Sequence, residues 1–112
     1  MAIPETELAR VRRWCEARIP AQHRDQLRIE FEQRGNVLTI LECRPPLSAA
    51  LGPEWMRHGI ARLRYTASSA VWHLFWRDRN MRFHRYEPCA ASAHVADLLV
   101  EIERDPTGIF WG

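Results

Sequence analysis

Apolar residues recur at helical spacing near both ends of the chain and alternate with polar ones in between, and this change of period sets out the elements. Leu8, Val11, Trp14, Cys15 and Ile19 form one stripe, while Arg10, Arg12, Arg13 and Glu16 point elsewhere, which predicts a helix over about residues 5–18. Pro4 suits its first position, Glu5 and Glu7 lie at the positive end of its dipole, and Pro20 stops it. Leu27, Ile29 and Phe31 alternate with Arg28, Glu30 and Glu32 as in a half-buried strand. Arg34-Gly35-Asn36 reads as a hairpin turn into a second strand, Val37 to Cys43. Both faces of that strand are apolar, so the pattern leaves its register open. Arg44-Pro45-Pro46 closes it, and the segment to Pro53 reads as loop.

Ala61, Leu63 and Tyr65 alternate with Arg62 and Arg64 in a third strand, TASSA turns the chain into a fourth, VWHLFWR, and MRFHRY is a fifth that ends at Pro88. Ser92 is placed to cap a final helix whose buried face is Val95, Leu98, Leu99 and Ile102, ended by Asp105-Pro106. Strands joined by short turns pair antiparallel, and their greasier face needs cover from the two amphipathic helices. The expected fold is α+β: a single domain over residues 1–112, a five-stranded antiparallel meander flanked by an N-terminal and a C-terminal helix, both on one face. The end of the chain carries Ile109, Phe110 and Trp111, which are too apolar to stay in water at no cost and are expected to fold back onto the sheet or a subunit boundary.

The hairpin stretch WRDRNMRFHRYE, Trp76 to Glu87, concentrates four arginines with three aromatic residues and a histidine. Its turn decides which side chains share a face, because a one-residue slip moves every side chain to the other side. A two-residue turn sets Arg77 opposite Arg82. A three-residue loop, Arg79 to Met81, sets Asp78 opposite Arg82 instead and is favoured, although its third residue, Met81, then takes a left-handed conformation that costs about 1–2 kcal/mol. In that register Trp72, Leu74, Trp76, His84 and Tyr86 share the core face. The opposite face carries His73, Phe75, Arg77, Phe83 and Arg85, extended by Arg62 and Arg64 on the neighbouring strand, and these seven are the candidate binding residues. Arginines beside aromatic rings can hold phosphates and stack bases. The commonplace alternative is that the tail or a partner subunit covers Phe75 and Phe83 while the arginines lie over them, their stems packed and heads wet.

Composition trims the choices. The net charge is only +2, too small to mark a nucleic-acid binder, so a protein partner or self-association is favoured over nucleic acid. All sixteen basic residues are arginine, which removes Schiff-base chemistry, a Walker A lysine and a lysine general base. Five scattered glycines make no phosphate-cradling loop, and no cofactor is expected. Three cysteines without a CxxC or metal-ligand spacing point to a reduced, cytoplasmic protein; no metal site and no membrane span are expected. A ribonuclease-like set of His73 and His84 with Arg85 and Tyr86 is the less favoured alternative, because the favoured register puts the two histidines on opposite faces. The expected function is a non-enzymatic binding module.

WRDRN followed by RFHRY, with LECRPP, ARLRY and the ending EIERDPTGIFWG, resembles a bacterial family of small proteins catalogued as a domain of unknown function. The likeness spans nearly the whole chain. It carries over no activity, cofactor, partner or catalytic residue.

Overall fold

The structure, a computed structural model, describes residues 2–111 of the chain. Helix α1 runs from Glu5 to Arg18, followed by strands β1 (Arg28–Arg34), β2 (Val37–Arg44), β3 (Met56–Thr66), β4 (Val71–Arg77) and β5 (Phe83–Arg85), and then helix α2 (Val95–Arg104). The strands form one sheet in the order β1-β2-β3-β4-β5, every neighbouring pair antiparallel. Helices α1 and α2 pack against each other and against the same face, so the expected α+β meander holds.

The apolar stripe of α1 buries Leu8, Val11 and Cys15, with Trp14 and Ile19 partly covered at its margins. Helix α2 buries Val95, Leu98, Leu99 and Ile102, the face its period predicts. From the sheet they meet Ile29, Leu38, Ile40, Leu63, Leu74 and the fully buried Trp72. The ambiguity of β2 is thereby resolved: Leu38 and Ile40 point into this core, while Val37, Thr39, Leu41 and Cys43 alternate onto the other face.

Several boundaries differ from the sequence reading. Pro4 lies just before α1 rather than inside it, and its carbonyl accepts from the Glu7 and Leu8 amides. The first hairpin turns on Gly35 and Asn36 alone, because Arg34 already pairs with Val37. Strand β3 begins at Met56, not Ala61. A bulge sets Ile40 opposite Ala61 and Leu41 opposite Gly59, so Ile60 is the extra residue, and it and Ala61 are both buried. That shift breaks the period-two signal and hides the first half of the strand. Strand β5 is shorter than MRFHRY.

Ser92 does not cap α2. Its backbone pairs with Trp72 in an isolated bridge, and its hydroxyl accepts from the His94 amide and donates to Asp97. The first α2 amide, that of Val95, is instead taken by the Glu7 carboxylate of α1 at 3.2 Å, which ties the two helices together from opposite ends of the sequence.

The tail folds back as expected. Asp105 ends α2 in a left-handed conformation and its carboxylate accepts from the Phe110 and Trp111 amides. Phe110 is buried against Tyr86, ring centroids 5.0 Å apart, and the Trp111 indole donates to the Ile102 carbonyl. Arg18 lies over the Trp111 ring and pairs with Glu103, closing α1 over this end. No helix among the described residues is long and apolar enough to cross a membrane.

Candidate binding face

The last hairpin has the expected three-residue loop. Arg77 pairs with Phe83 and Trp76 with His84, so Asp78 and Arg82 face each other across Arg79, Asn80 and Met81, and Met81 is left-handed at φ 67°. The stabilising contact is not the expected pairing of the Asp78 and Arg82 side chains. Asp78 accepts from the Asn80 and Arg82 amides and from His84 Nε2 at 2.6 Å, and these hydrogen bonds, His84 first, hold its carboxyl below the usual aspartate range. The His84 ring also lies against Trp76. The loop is therefore closed by a carboxylate–imidazole clasp.

This register brings all seven candidate residues to the face away from the helices. Arg62 lies beside Phe75, which lies beside Arg85; Arg64 lies beside His73, and Arg77 beside Phe83. The contacts run diagonally. The Arg62 guanidinium sits 4.1 Å from the centroid of Phe83, and the Arg64 guanidinium 4.8 Å from that of Phe75. Each such stack contributes roughly 0.5–1 kcal/mol at an exposed site and, more usefully here, holds a flexible side chain against the ring. Arg62 Nε donates to Thr39 Oγ1 at 3.1 Å, which leaves its terminal nitrogens free. Arg77 is turned aside, against the His58 ring.

Electrostatics set this half of the sheet apart. Outward positions on β3, β4 and β5 carry Arg57, Arg62, Arg64, Arg77 and Arg85 and no acidic residue, whereas Glu30 and Glu32 occupy β1. Arg57 reaches Glu32 at 3.4 Å, but Arg62, Arg64, Arg77 and Arg85 form no ion pair with any described carboxylate. His73 sits between two of them. Desolvation, then the charges of Arg85 and Arg64, push its pKa down, and its Nδ1 is covered without a hydrogen-bond partner among the described residues.

Two open hollows run along this face. One of about 170 Å³ is lined by Val37, Arg62, Arg64, Phe75 and Phe83; a second of about 400 Å³ is lined by Glu32, Arg34, Val37, Thr39 and Arg62. They share Val37 and Arg62, so together they cross from β5 to β1. Thr39 and Val37 escaped the sequence reading because β2 showed no polar face. Gly59 escaped it as well: a Cβ there would come within 3.3 Å of the Phe83 ring, so its bareness lets that ring lie down across the sheet.

The other chemistry considered does not assemble. His73 lies on the open face while His84 is held on the core side, so they cannot act on one substrate. Burial pushes the Cys15 thiol up to about 12, and it raises Cys43 and Cys89 too, so none is an activated thiolate near neutral pH. Among the described residues no three histidine, cysteine or acidic side chains converge as a metal site would require.

What the fold and this face define is a small α+β platform, helices on one side of the sheet and an arginine–aromatic surface on the other. The chain belongs to the family described as Domain of unknown function (DUF3024), whose model matches residues 2–112. No curated protein and no solved structure matches it.

Proposed function

We propose that the chain is a non-enzymatic binding module whose open sheet face takes a negatively charged partner. The observation that carries this reading is the set of guanidiniums on β3 to β5 without a carboxylate to neutralise them. Surface arginines with no task usually find an acid or spread apart; here three of them, Arg62, Arg64 and Arg85, crowd around His73 and two phenylalanines. Such crowding raises the local potential well above what a net charge of +2 suggests.

The sequence favoured a protein docked on Phe75 and Phe83, or a second copy of the chain. With Arg62 and Arg64 lying over the rings, an apolar partner would have to strip water from the guanidiniums without repaying them, so an anionic partner suits the face better. Three free thiols, two of them buried, suit a reducing compartment, and the cytoplasm is the proposed location.

The test is a matched charge reversal. Arg62→Glu with Arg85→Glu is compared with Arg13→Glu plus Arg104→Glu, exposed positions on α1 and α2 that give the same net charge. Retention on an immobilised polyanion should collapse for the sheet pair and persist for the helix pair. Equal losses would mean that net charge alone is being read, and the reading would fail.

A further inference from the structure

We infer that the open face binds single-stranded nucleic acid, laid across the strands from β5 towards β1, with bases stacked on the Arg62 and Arg64 planes and phosphates at the free guanidinium edges. This rests on the reading of the face as an anion-binding surface and names the partner. Three observations distinguish it from other polyanions.

The first is stacking. The guanidinium carbons of Arg62 and Arg64 lie over the Phe83 and Phe75 rings, 4.1 and 4.8 Å from the centroids, and both arginines remain exposed. A phosphate or carboxylate needs only the edge of a guanidinium, whereas a base needs its plane, and arginine planes are stacking surfaces for unpaired bases. An acidic peptide has nothing to place on them.

The second is the path. The two hollows join at Val37 and Arg62 and span all five strands, about 19 Å at the usual spacing between strands. At the far end Arg34 lines the second hollow but pairs with Glu32 at 3.4 Å, so the unneutralised positive charge of the trough lies on its β3–β5 side. The trough has the length of a short single strand and is open to solvent along its course. Both helices are on the other side of the sheet, so no helix on this face can enter a duplex groove.

The third is His73, a half-buried ring on the open face between Arg64 and Arg85. An imidazole ring among the arginines adds a further stacking surface for an unpaired base, next to groups that hold phosphates.

The experiment uses the full chain and short fluorescein-labelled oligonucleotides of mixed sequence, as single-stranded RNA, single-stranded DNA and duplex, with polyglutamate as a non-nucleic polyanion. Fluorescence anisotropy should show single strands bound at least about tenfold more tightly than duplex or polyglutamate. The logarithm of affinity should fall with the logarithm of salt with a slope of about −2 to −3, as three or four neutralised phosphates require. Phe83→Leu and Phe75→Leu, which keep apolar mass but remove the ring beneath the guanidinium, should each weaken single-strand binding about tenfold. Arg64→Gln should lower the slope by about 0.7. Thermal melts of each variant confirm folding. If duplex or polyglutamate binds as well as single strands, or the leucine variants bind unchanged, the single-strand inference is overturned while the anion-binding reading stands. If no polyanion binds at low salt, both fall.

Discussion

Phe83 lies across the sheet onto Gly59, two strands away, so close that a Cβ on the glycine would stand 3.3 Å from the ring's Cζ, with the Arg77 stem and the Thr39 methyl next nearest. This pair explains how a three-residue edge strand contributes to a surface centred on β3. The ring covers bare backbone, and the Arg62 guanidinium stacks on the ring. Gly59 is not in the left-handed region, so a Cβ there is crowded only by the ring and makes ordinary contacts with Arg77 and Thr39. Gly59→Val should therefore leave the fold intact, since a branched residue suits a strand, yet lift Phe83 and dislodge Arg62. The expected result is a melting temperature within a few degrees of wild type together with lost ring-current shifts on the Arg62 side chain and weakened anion binding. Unchanged Arg62 resonances would show that the glycine does not seat the ring.

The tail contributes to the core. Phe110 is only 5% exposed and lies against Tyr86, whose hydroxyl donates to Glu101 of α2 at 2.9 Å, so the last residues lock α2 to the end of the sheet. Removing a buried phenyl ring costs about 3 kcal/mol or more, from a total stability of roughly 5–15 kcal/mol. Phe110→Ala should lower the melting temperature by on the order of 10 °C. Deleting residues 107–112 should cost at least as much. A melt like that of the wild type would mean that the ring is free in solution.

Met81 holds a left-handed conformation at φ 67° because the Asp78 clasp, which takes two loop amides, closes the turn around it. An L-residue there costs about 1–2 kcal/mol, and the side chain is exposed, so little packing offsets that cost. Met81→Gly should stabilise the protein by roughly 1 kcal/mol, partly offset by the greater freedom of glycine in the unfolded chain. Urea unfolding at unchanged slope is the measurement. A destabilised variant would mean that Met81 makes contacts that outweigh its strain.

How much of this was legible depends on whether local period and tertiary structure agree. The α1 stripe and the α2 face repeat without interruption, and both helices lie where the repeat puts them. The hairpin register could be read because only one loop length avoids setting Arg77 against Arg82. The start of β3 was hidden by the bulge at Ile60, which moves the apolar phase by one residue. The α2 cap was unreadable for a different reason: Glu7 is 88 residues from Val95, and no local signal announces a long-range carboxylate. All seven candidate residues of the open face were placed on one side by period two together with that loop length, but their diagonal stacking and the part of Thr39 needed the twist of the sheet.

His73 offers a titration that reports on the same face. Its pKa lies below the ordinary 6.5, through desolvation first and then the charges of Arg85 on β5 and Arg64 on β3. The sign follows from which state takes the proton first. The unfolded chain binds it near 6.5 and the folded protein only at lower pH, so this group contributes stability that is present above 6.5 and is lost as pH falls towards the folded pKa. An anion on Arg64 and Arg85 reverses the local field: it cancels the charges that hold His73 neutral and favours the imidazolium. Binding should then be accompanied by proton uptake, with affinity for a polyanion rising as pH falls from neutrality through the range in which His73 titrates. The measurement is an NMR titration of the His73 ring carbons, free and bound: a midpoint below that of an unperturbed histidine in the free protein, moving up when the face is occupied. His73→Gln should remove that His73 component of the pH dependence while keeping most of the affinity, because the arginines remain. A bound-state midpoint no higher than the free one would place the anion away from Arg64 and Arg85, and would move the binding surface elsewhere on the protein.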